Sequence, residues 1–222
     1  MEKRIVLYDF ETNFDYTHIV SRFIEHRFTK DANSGFSILR YDAGGIHFRH
    51  IKKNINIDNI VTPFGEEYEN ITIDYAINEA KITGNMLHVV NPTRSIIPFR
   101  TDLLKSLGFE CAISNKIIDL NKVLLLLSNK IVDVNLTDIE LTSHDLFKDS
   151  KVKMVISSNS DLIRKTEQYF GDVPSKLTKI GFFIKHLRQE YYIEIGCKGT
   201  VKIKGSLIDD HFENYIINNI LF

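Results

Sequence analysis

The sequence predicts an α+β fold, in which a mainly antiparallel, meandering sheet or sheets are packed by amphipathic helices in a single compact chain. Segments rich in β-branched and aromatic residues outnumber those with helical spacing, and short turns join several of them. The 222 residues, 43% of them hydrophobic, suffice for a sizeable core. One domain over residues 1–222 is predicted, and the best candidate for a division lies near residues 114–115.

A strand and a helix are predicted at the start of the chain. Residues 4–10 are rich in β-branched and aromatic side chains, which favour a strand. Asp15 is a typical N-cap, and the apolar residues from Tyr16 to Ile24 recur at helical spacing. A helix therefore follows the first strand.

A β-meander is predicted next. Residues 36–41 and 46–53 flank two glycines, which permit the chain reversal of a hairpin. Apolar and polar side chains alternate between residues 69 and 78, a pattern that predicts a strand with one buried face. Residues 86–90 pair with that strand through a short turn, so the two are antiparallel.

Helices and strands alternate in the middle of the chain. Pro98 suits the first turn of a helix, and Gly108 suits its C-terminal cap. Asp119 is the predicted cap of a helix through residues 123–127, which are apolar all round and are therefore expected to be buried on more than one side. The elements predicted after it are strands at residues 132–141 and 152–156 and a helix at residues 161–170.

Three strands and a docked terminal helix are predicted in the last segment. The strands cover residues 180–185, 191–195 and 200–204. Ser206 is the predicted N-cap of the helix, whose apolar side chains fall on one face.

Composition excludes several classes of protein. The chain has 28 Lys+Arg against 29 Asp+Glu, and a net charge of -1 excludes a protein that coats polyanions by bulk charge. Cys111 and Cys197 cannot form a disulfide framework, and no segment approaches the roughly 20 apolar residues that cross a bilayer. The first residues lack the pattern of a secretion signal. We therefore expect a cytoplasmic protein with no membrane partner.

The first candidate site is Asp9-Phe10-Glu11-Thr12, at the end of the first strand. Carboxylates on alternate residues of a strand project to the same side, where they can hold Mg²⁺ or Mn²⁺. The four residues resemble the first motif of the proofreading 3′–5′ exonucleases, and the resemblance implies that Asp9 and Glu11 hold metal ions for phosphodiester cleavage. The nearest material for the family's later motifs, which lacks its spacing, is His144-Asp145 and Tyr169 with Asp172. A capped strand end is the alternative.

The second candidate site is the loop at residues 91–95, before the Pro98 helix. Its Asn, Thr, Ser and Arg side chains could hold a phosphate or a carboxylate beside the backbone donors of the helix N-terminus. Alternatively, Pro92 shapes the turn, and Thr93 or Ser95 satisfies loose backbone groups. Arg94 is the residue whose substitution would test binding first.

Basic residues concentrate in two β regions. The side chains considered for binding are Arg49 and Lys52 in the first region and Lys198, Lys202 and Lys204 in the second. Lys202 and Lys204 share one face of a strand, and Tyr191 or Tyr192 adds an aromatic surface beside them. Such a face can bind nucleic acid through phosphate contacts and stacking. Solvated lysines that protect a strand edge are the alternative.

The sequence favours a non-enzymatic binding or regulatory protein without a cofactor, because nucleotide-binding and hydrolase motifs are missing from it. We expect it to recognise a macromolecule through a basic sheet face, with nucleic acid favoured over protein by a small margin. One alternative is the phosphodiesterase, which would use Mg²⁺ or Mn²⁺ at Asp9 and Glu11. The other is a protein-interaction subunit whose apolar surface is hidden in an oligomer.

Overall fold

The computed structural model of the chain describes residues 1–130, 134–143, 150–159, 162 and 176–221. This part is mostly antiparallel sheet with few helices, which confirms the predicted sheet. It divides into two units, a middle unit of residues 8–114 and a terminal unit of residues 1–7 and 115–222. That the chain forms a single domain stays a prediction.

The elements are as follows. The strands are β1 (Glu2–Thr12), β2 (Ser34–Asp42), β3 (Gly45–Val61), β4 (Glu67–Thr83), β5 (Met86–Val90), β6 (Cys111–Asn115), β7 (Val134–Ser143), β8 (Val152–Ser157), β9 (Lys176–His186), β10 (Gln189–Gly196) and β11 (Thr200–Lys204). The helices are α1 (Tyr16–Glu25), α2 (Ile97–Ser106), α3 (Leu120–Lys130) and α4 (Asp210–Ile216), the last followed by a π-helical turn (Ile217–Leu221). The helix predicted at residues 161–170 lies outside the described residues except for Leu162, as do residues 132 and 133 of a predicted strand.

The middle unit has the strand order β2-β3-β4-β5-β1, and successive pairs from β2 to β5 are antiparallel. Helix α1 begins as predicted, since the Asp15 carboxylate accepts a hydrogen bond from the His18 backbone N–H at 2.7 Å. Phe23 of this helix is buried between Phe36 and Phe48, with ring centroids 4.5 and 4.6 Å away. These aromatic contacts dock α1 on the sheet.

Strands β3 and β4 extend well beyond their neighbours. Each has 17 residues, and they pair continuously from Ile46↔Ile82 to Val61↔Glu67. β2 pairs with β3 only as far as Lys52, and β5 pairs with β4 only from Glu79 onward. In the described part of the chain, residues 53–61 and 67–78 therefore have no further strand beside them, although the Lys53 backbone N–H still donates to the Asn33 carbonyl at 2.8 Å. We call this two-stranded projection the arm.

The predicted strand at residues 69–78 is confirmed, but the prediction that one of its faces is buried is wrong. Ile71, Ile73 and Ile77 are 58%, 49% and 47% exposed. The alternation is real, but the exposure of these side chains shows that no layer in the described part of the chain packs over this face. In addition, β2 and β5 end before they reach this part of β4.

The terminal unit has the strand order β1-β11-β10-β9-β7-β8, with antiparallel pairing wherever the register is defined. One sheet face carries the core, in which Phe182, Ile193 and Ile203 pack with Leu127 of α3 and Phe212 of α4. We call the opposite side of this sheet the outer face. Alternate residues of each strand face outward, so the outer face is set by the strand register.

Two helix predictions in the terminal unit need correction. The apolar run of α3 is buried on one side only, since Val123 and Leu127 are buried but Leu125 is 60% exposed. The N-cap of α4 is Asp209, whose carboxylate accepts from the Phe212 backbone N–H at 2.8 Å, and not Ser206. The Gly205 backbone N–H donates to the Met1 carbonyl at 3.1 Å, and the chain bends at residues 205–206 before the helix begins.

Candidate interaction surfaces

One face of the arm carries three fully apolar cross-strand rows, and the other three rows contain Lys53, Glu69 and Glu67. Its rows, from base to tip, are Ile51↔Ile77, Lys53↔Tyr75, Ile55↔Ile73, Ile57↔Ile71, Asn59↔Glu69 and Val61↔Glu67. We call this the apolar face of the arm. The four central isoleucines are between 49% and 58% exposed. Side chains directly opposite each other in an antiparallel pair touch, so they form one continuous apolar stripe.

The other face of the arm is polar. Its rows are Asn54↔Asp74, Asn56↔Thr72, Asp58↔Asn70 and Ile60↔Tyr68. The arm is therefore amphipathic although it is exposed on both sides, since the central rows of its apolar face are isoleucine pairs, whereas three of the four rows of the other face are formed by polar side chains. At the base, the Phe28 ring meets the edge of Tyr75 at 6.1 Å between centroids.

The arm is acidic. Residues 54–80 contain Asp58, Glu66, Glu67, Glu69, Asp74 and Glu79 but no Lys, Arg or His. On the apolar face, the basic residue Lys53 flanks the isoleucine rows on the side of the base, and the acidic residue Glu69 flanks them on the side of the tip. The apolar face thus carries opposite charges at its two ends.

The predicted binding residues of the first hairpin lie at the base of the arm. The Arg49 guanidinium donates from Nε and Nη2 to one oxygen of Glu79, at 3.1 and 3.0 Å, and His47 contacts the other oxygen at 2.9 Å. Lys52 is half-buried between Ser34 and Ala76 on the adjacent strands. Arg49 is therefore already engaged by an acid of its own sheet.

The outer face of the terminal unit brings Lys202 and Lys204 together, as their spacing implies. Acids of neighbouring strands lie among them, since Glu2 is 3.0 Å from Lys202 and 4.0 Å from Lys204, and Glu194 is 3.2 Å from Lys179. Along this face the cations are Arg4, Lys153, Lys179, Lys185, Lys202 and Lys204, and the anions are Glu2, Asp138, Glu140, Glu190 and Glu194. Acids are interspersed among the cations, so the face is not a uniformly cationic plate.

Two aromatic rings lie on the outer face. Phe183 and Tyr192 have centroids 5.2 Å apart, and the Lys204 ammonium is 5.5 Å from the centre of the Tyr192 ring. They line a shallow depression of about 510 Å³ together with Glu190 and Glu194. The aromatic surface that the sequence predicts beside the lysines is Tyr192, because Tyr191 is buried against the core.

Asp138 organises the centre of the outer face. It accepts hydrogen bonds from the hydroxyls of Ser157, Thr137 and Tyr192, at 2.7, 2.8 and 2.9 Å. Burial by itself would raise the pKa of Asp138, but the three hydroxyl donors outweigh it and hold that pKa below its ordinary value. Burial and the Asp138 carboxylate together raise the pKa of Tyr192 well above its ordinary value. Every polar group of the cluster is satisfied locally, as in a structural network.

Asp9 and Glu11 project from the same side of β1, on either side of the buried Phe10. Among the described residues, no group of three or more His, Cys, Asp or Glu side chains is placed to hold a metal ion. A surface cavity of about 310 Å³ nearby is lined by aromatic and aliphatic residues together with Thr12, Asp15 and Asn85, and neither Asp9 nor Glu11 lines it. His144, Asp145, Tyr169 and Asp172 lie outside the described residues, and the nuclease alternative stays a prediction.

The loop at residues 91–95 is tied to β4. The Thr93 backbone N–H and hydroxyl both donate to the buried Asn78 side-chain oxygen, at 3.0 and 3.1 Å. Arg94 is exposed beside it. The role of Thr93 in this structure is therefore to anchor the loop. Whether Arg94 binds an anion stays a prediction.

Lys198 is exposed in the β10–β11 hairpin turn. Gly199 has φ of +74° there, and its N–H bonds to the Gly196 carbonyl at 3.1 Å. The two glycines thus close the turn between β10 and β11.

No protein-family model matches this chain, and no curated protein matches it either. In the described part of the chain, no helix is both long and apolar enough to span a bilayer. The function is therefore inferred from the fold, the surface and the chemistry of the described residues.

The arm is the surface that sequence reasoning missed. Its signal was present in Asn54-Ile55-Asn56-Ile57-Asp58, which continues the alternation of β3 beyond the predicted end at residue 53. The alternation reveals that one side of the ribbon is apolar. It does not reveal whether a helix or a second sheet packs over that side.

Proposed function

We propose that the chain is a non-enzymatic binding protein that recognises a macromolecule, and that this macromolecule is a protein held on the apolar face of the arm. The observation that carries the proposal is the double row of half-exposed isoleucines, Ile55, Ile57, Ile71 and Ile73. With its flanking rows, this face exposes on the order of 500 Å² of apolar surface, in the range where exposed patches mark interaction sites. A protein partner would remove these rows from water.

Charge favours a protein over nucleic acid as the partner of the arm. Nucleic-acid binding depends on Lys and Arg that neutralise phosphates, and residues 54–80 contain neither. Their six acidic side chains would repel a phosphate backbone and an anionic lipid surface alike. An apolar centre with a charged rim is instead the usual anatomy of a protein interface.

Site-specific photo-crosslinking in the cells that make the protein tests this proposal. A photoreactive amino acid replaces Ile57 on the apolar face, and in the matched control it replaces Asn56, the preceding residue on the polar face. We expect a protein adduct from position 57 that is lost when Ile71, the cross-strand neighbour of Ile57, is changed to Ser. Failure to form a protein adduct at position 57, or equal adducts from both positions, would refute the proposal.

Nucleic-acid binding on the outer face of the terminal unit is the second candidate. What favours it is the pair of aromatic rings of Phe183 and Tyr192 beside Lys204, since nucleobases stack on such rings. If it holds, changing Lys202 and Lys204 to Glu weakens binding of a single-stranded oligonucleotide and flattens its salt dependence. Unchanged affinity would remove this candidate.

A further inference from the structure

Building on the proposed function, we propose that the partner on the apolar face of the arm is a second copy of this chain. In this arrangement the two arms pack face to face and antiparallel, related by a two-fold axis that lies between them and runs across their strands. Such an interface is isologous, so a single surface must complement itself. The apolar face of the arm meets that requirement in both shape and charge.

The order of charges along the apolar face is self-complementary. The four central isoleucines occupy two rows, and the row before them holds Lys53 while the row after them holds Glu69. Position 56 is the midpoint of the isoleucine rows on β3. Lys53 lies three residues before it, and Asn59, which pairs with Glu69, lies three residues after it. Turning one arm end for end therefore exchanges the Lys53 row with the Glu69 row.

Superposing the rows in this way places the isoleucine rows of one copy against those of the other. Ile55 of one copy lies over Ile57 of the other, and Ile73 lies over Ile71, so the four isoleucines of each arm form the apolar centre. The Asn59–Glu69 row of the second copy lies over the Lys53–Tyr75 row, and at the margin the Val61–Glu67 row lies over the Ile51–Ile77 row. Parallel arms would instead place Lys53 beside Lys53 and Glu69 beside Glu69.

Lys53 and Glu69 cannot satisfy each other within one arm. The six residues from Lys53 to Asn59, which faces Glu69, span about 20 Å along the strand, far beyond an ion-pair distance. Across two antiparallel arms they meet twice, once at each end of the isoleucine rows. Two arms would bury on the order of 1,000 Å² in total, the size at which specific interfaces begin.

Charge reversal in the purified full-length chain tests the proposal, with the oligomeric state measured by sedimentation equilibrium at several concentrations. We expect dimers for the natural chain. Lys53→Glu alone, or Glu69→Lys alone, places like charges at both ends of the interface and should weaken the dimer about tenfold to a hundredfold. In an equimolar mixture of the two variants, each heterodimer regains two opposite-charge pairs, so dimers should return.

The controls carry the same kind of charge on the polar face. Asn54→Glu and Asp74→Lys, which face each other across the arm, should leave dimerisation unchanged. A natural chain that stays monomeric, single reversals that dimerise normally, or a mixture that stays dissociated would each overturn the proposal. Flotation of the chain with neutral phosphatidylcholine vesicles, lost on changing Ile57 to Ser, would also overturn it.

The crosslink at position 57 separates this proposal from the one on which it rests. An adduct of twice the 25.7 kDa chain mass supports a second copy. An adduct of another mass, formed from position 57 and not from position 56, would overturn the second copy and leave the protein-binding function standing.

Discussion

His88 should make the protein less stable in mild acid. It lies on β5 beside Lys81 of β4, its ring is 5% exposed, and burial together with the Lys81 charge lowers its pKa to about 4. The unfolded chain takes up this proton near the ordinary pKa of 6.5, whereas the folded chain does so near 4. The stability contributed by the neutral ring is therefore complete above about pH 6.5 and is lost progressively as the pH falls toward 4.

The magnitude follows from the difference between the two pKa values. Each unit is worth about 1.4 kcal/mol, so the full difference corresponds to about 3 kcal/mol, of which about 2 kcal/mol is lost between pH 7 and pH 5. Replacing His88 with Gln removes the titrating ring and with it this part of the pH dependence. The other titrating groups stay in place and cancel in the comparison.

The assay is urea unfolding followed by circular dichroism at pH 7 and pH 5, on the natural chain and on His88→Gln. We expect the free energy of unfolding to fall by about 2 kcal/mol more in the natural chain. His211→Gln, which removes an exposed histidine, serves as the control and should behave like the natural chain. Parallel pH profiles for the natural chain and His88→Gln would refute the reasoning.

Three further perturbations test the fold by the same unfolding measurement. Gly199→Ala puts a side chain on a residue with φ of +74°, and its Cβ would lie 2.6 Å from the Leu7 carbonyl oxygen. We expect the free energy of unfolding to fall by more than about 2 kcal/mol. The control is Gly65→Ala, where φ is also positive but the space is open, and there we expect a loss of about 1 kcal/mol. Equal losses would contradict the close approach. Ile203→Ala should cost about 2–5 kcal/mol because the side chain is fully buried, and a loss below 1 kcal/mol would argue against its place in the core. Asp138→Asn should lower the free energy of unfolding by about 1 kcal/mol at neutral pH. This loss should shrink as the pH falls below 3.8, because the natural carboxyl is then protonated in the unfolded chain. A loss that does not change with pH would contradict the lowered pKa of Asp138.

Local structure was readable from the sequence wherever the signal lies within a few residues. The Asp15 cap, the hairpin between β2 and β3, and the antiparallel return of β5 all depend on neighbours in the chain, and the structure confirms them. Burial depends on distant segments and was misread twice. The exposed side of β4 and the exposed Leu125 of α3 both carry patterns that are typical of buried elements.

The candidate sites divide in the same way. That Lys202 and Lys204 share a face follows from their spacing on one strand, whereas the acid between them comes from Glu2, at the opposite end of the sequence. The pairing of β1 with β11 brings that acid in, and no spacing rule contains this pairing. The arm could not be predicted for a related reason, since the exposure of its isoleucine rows depends on where β2 and β5 end and on whether another layer packs over the face, and neither is written in the local sequence.

The acidity of the arm also bears on how the protein behaves when it is concentrated. A ribbon with an apolar side and two strand edges without neighbours is prone to intermolecular β-stacking, and charges near such segments act as gatekeepers against it. Here the gatekeepers are carboxylates without a single compensating base between residues 54 and 80. Concentrated salt screens this repulsion. Repulsion between the carboxylates thus opposes aggregation of the ribbon, which makes buffers of low ionic strength the suitable conditions for handling the chain.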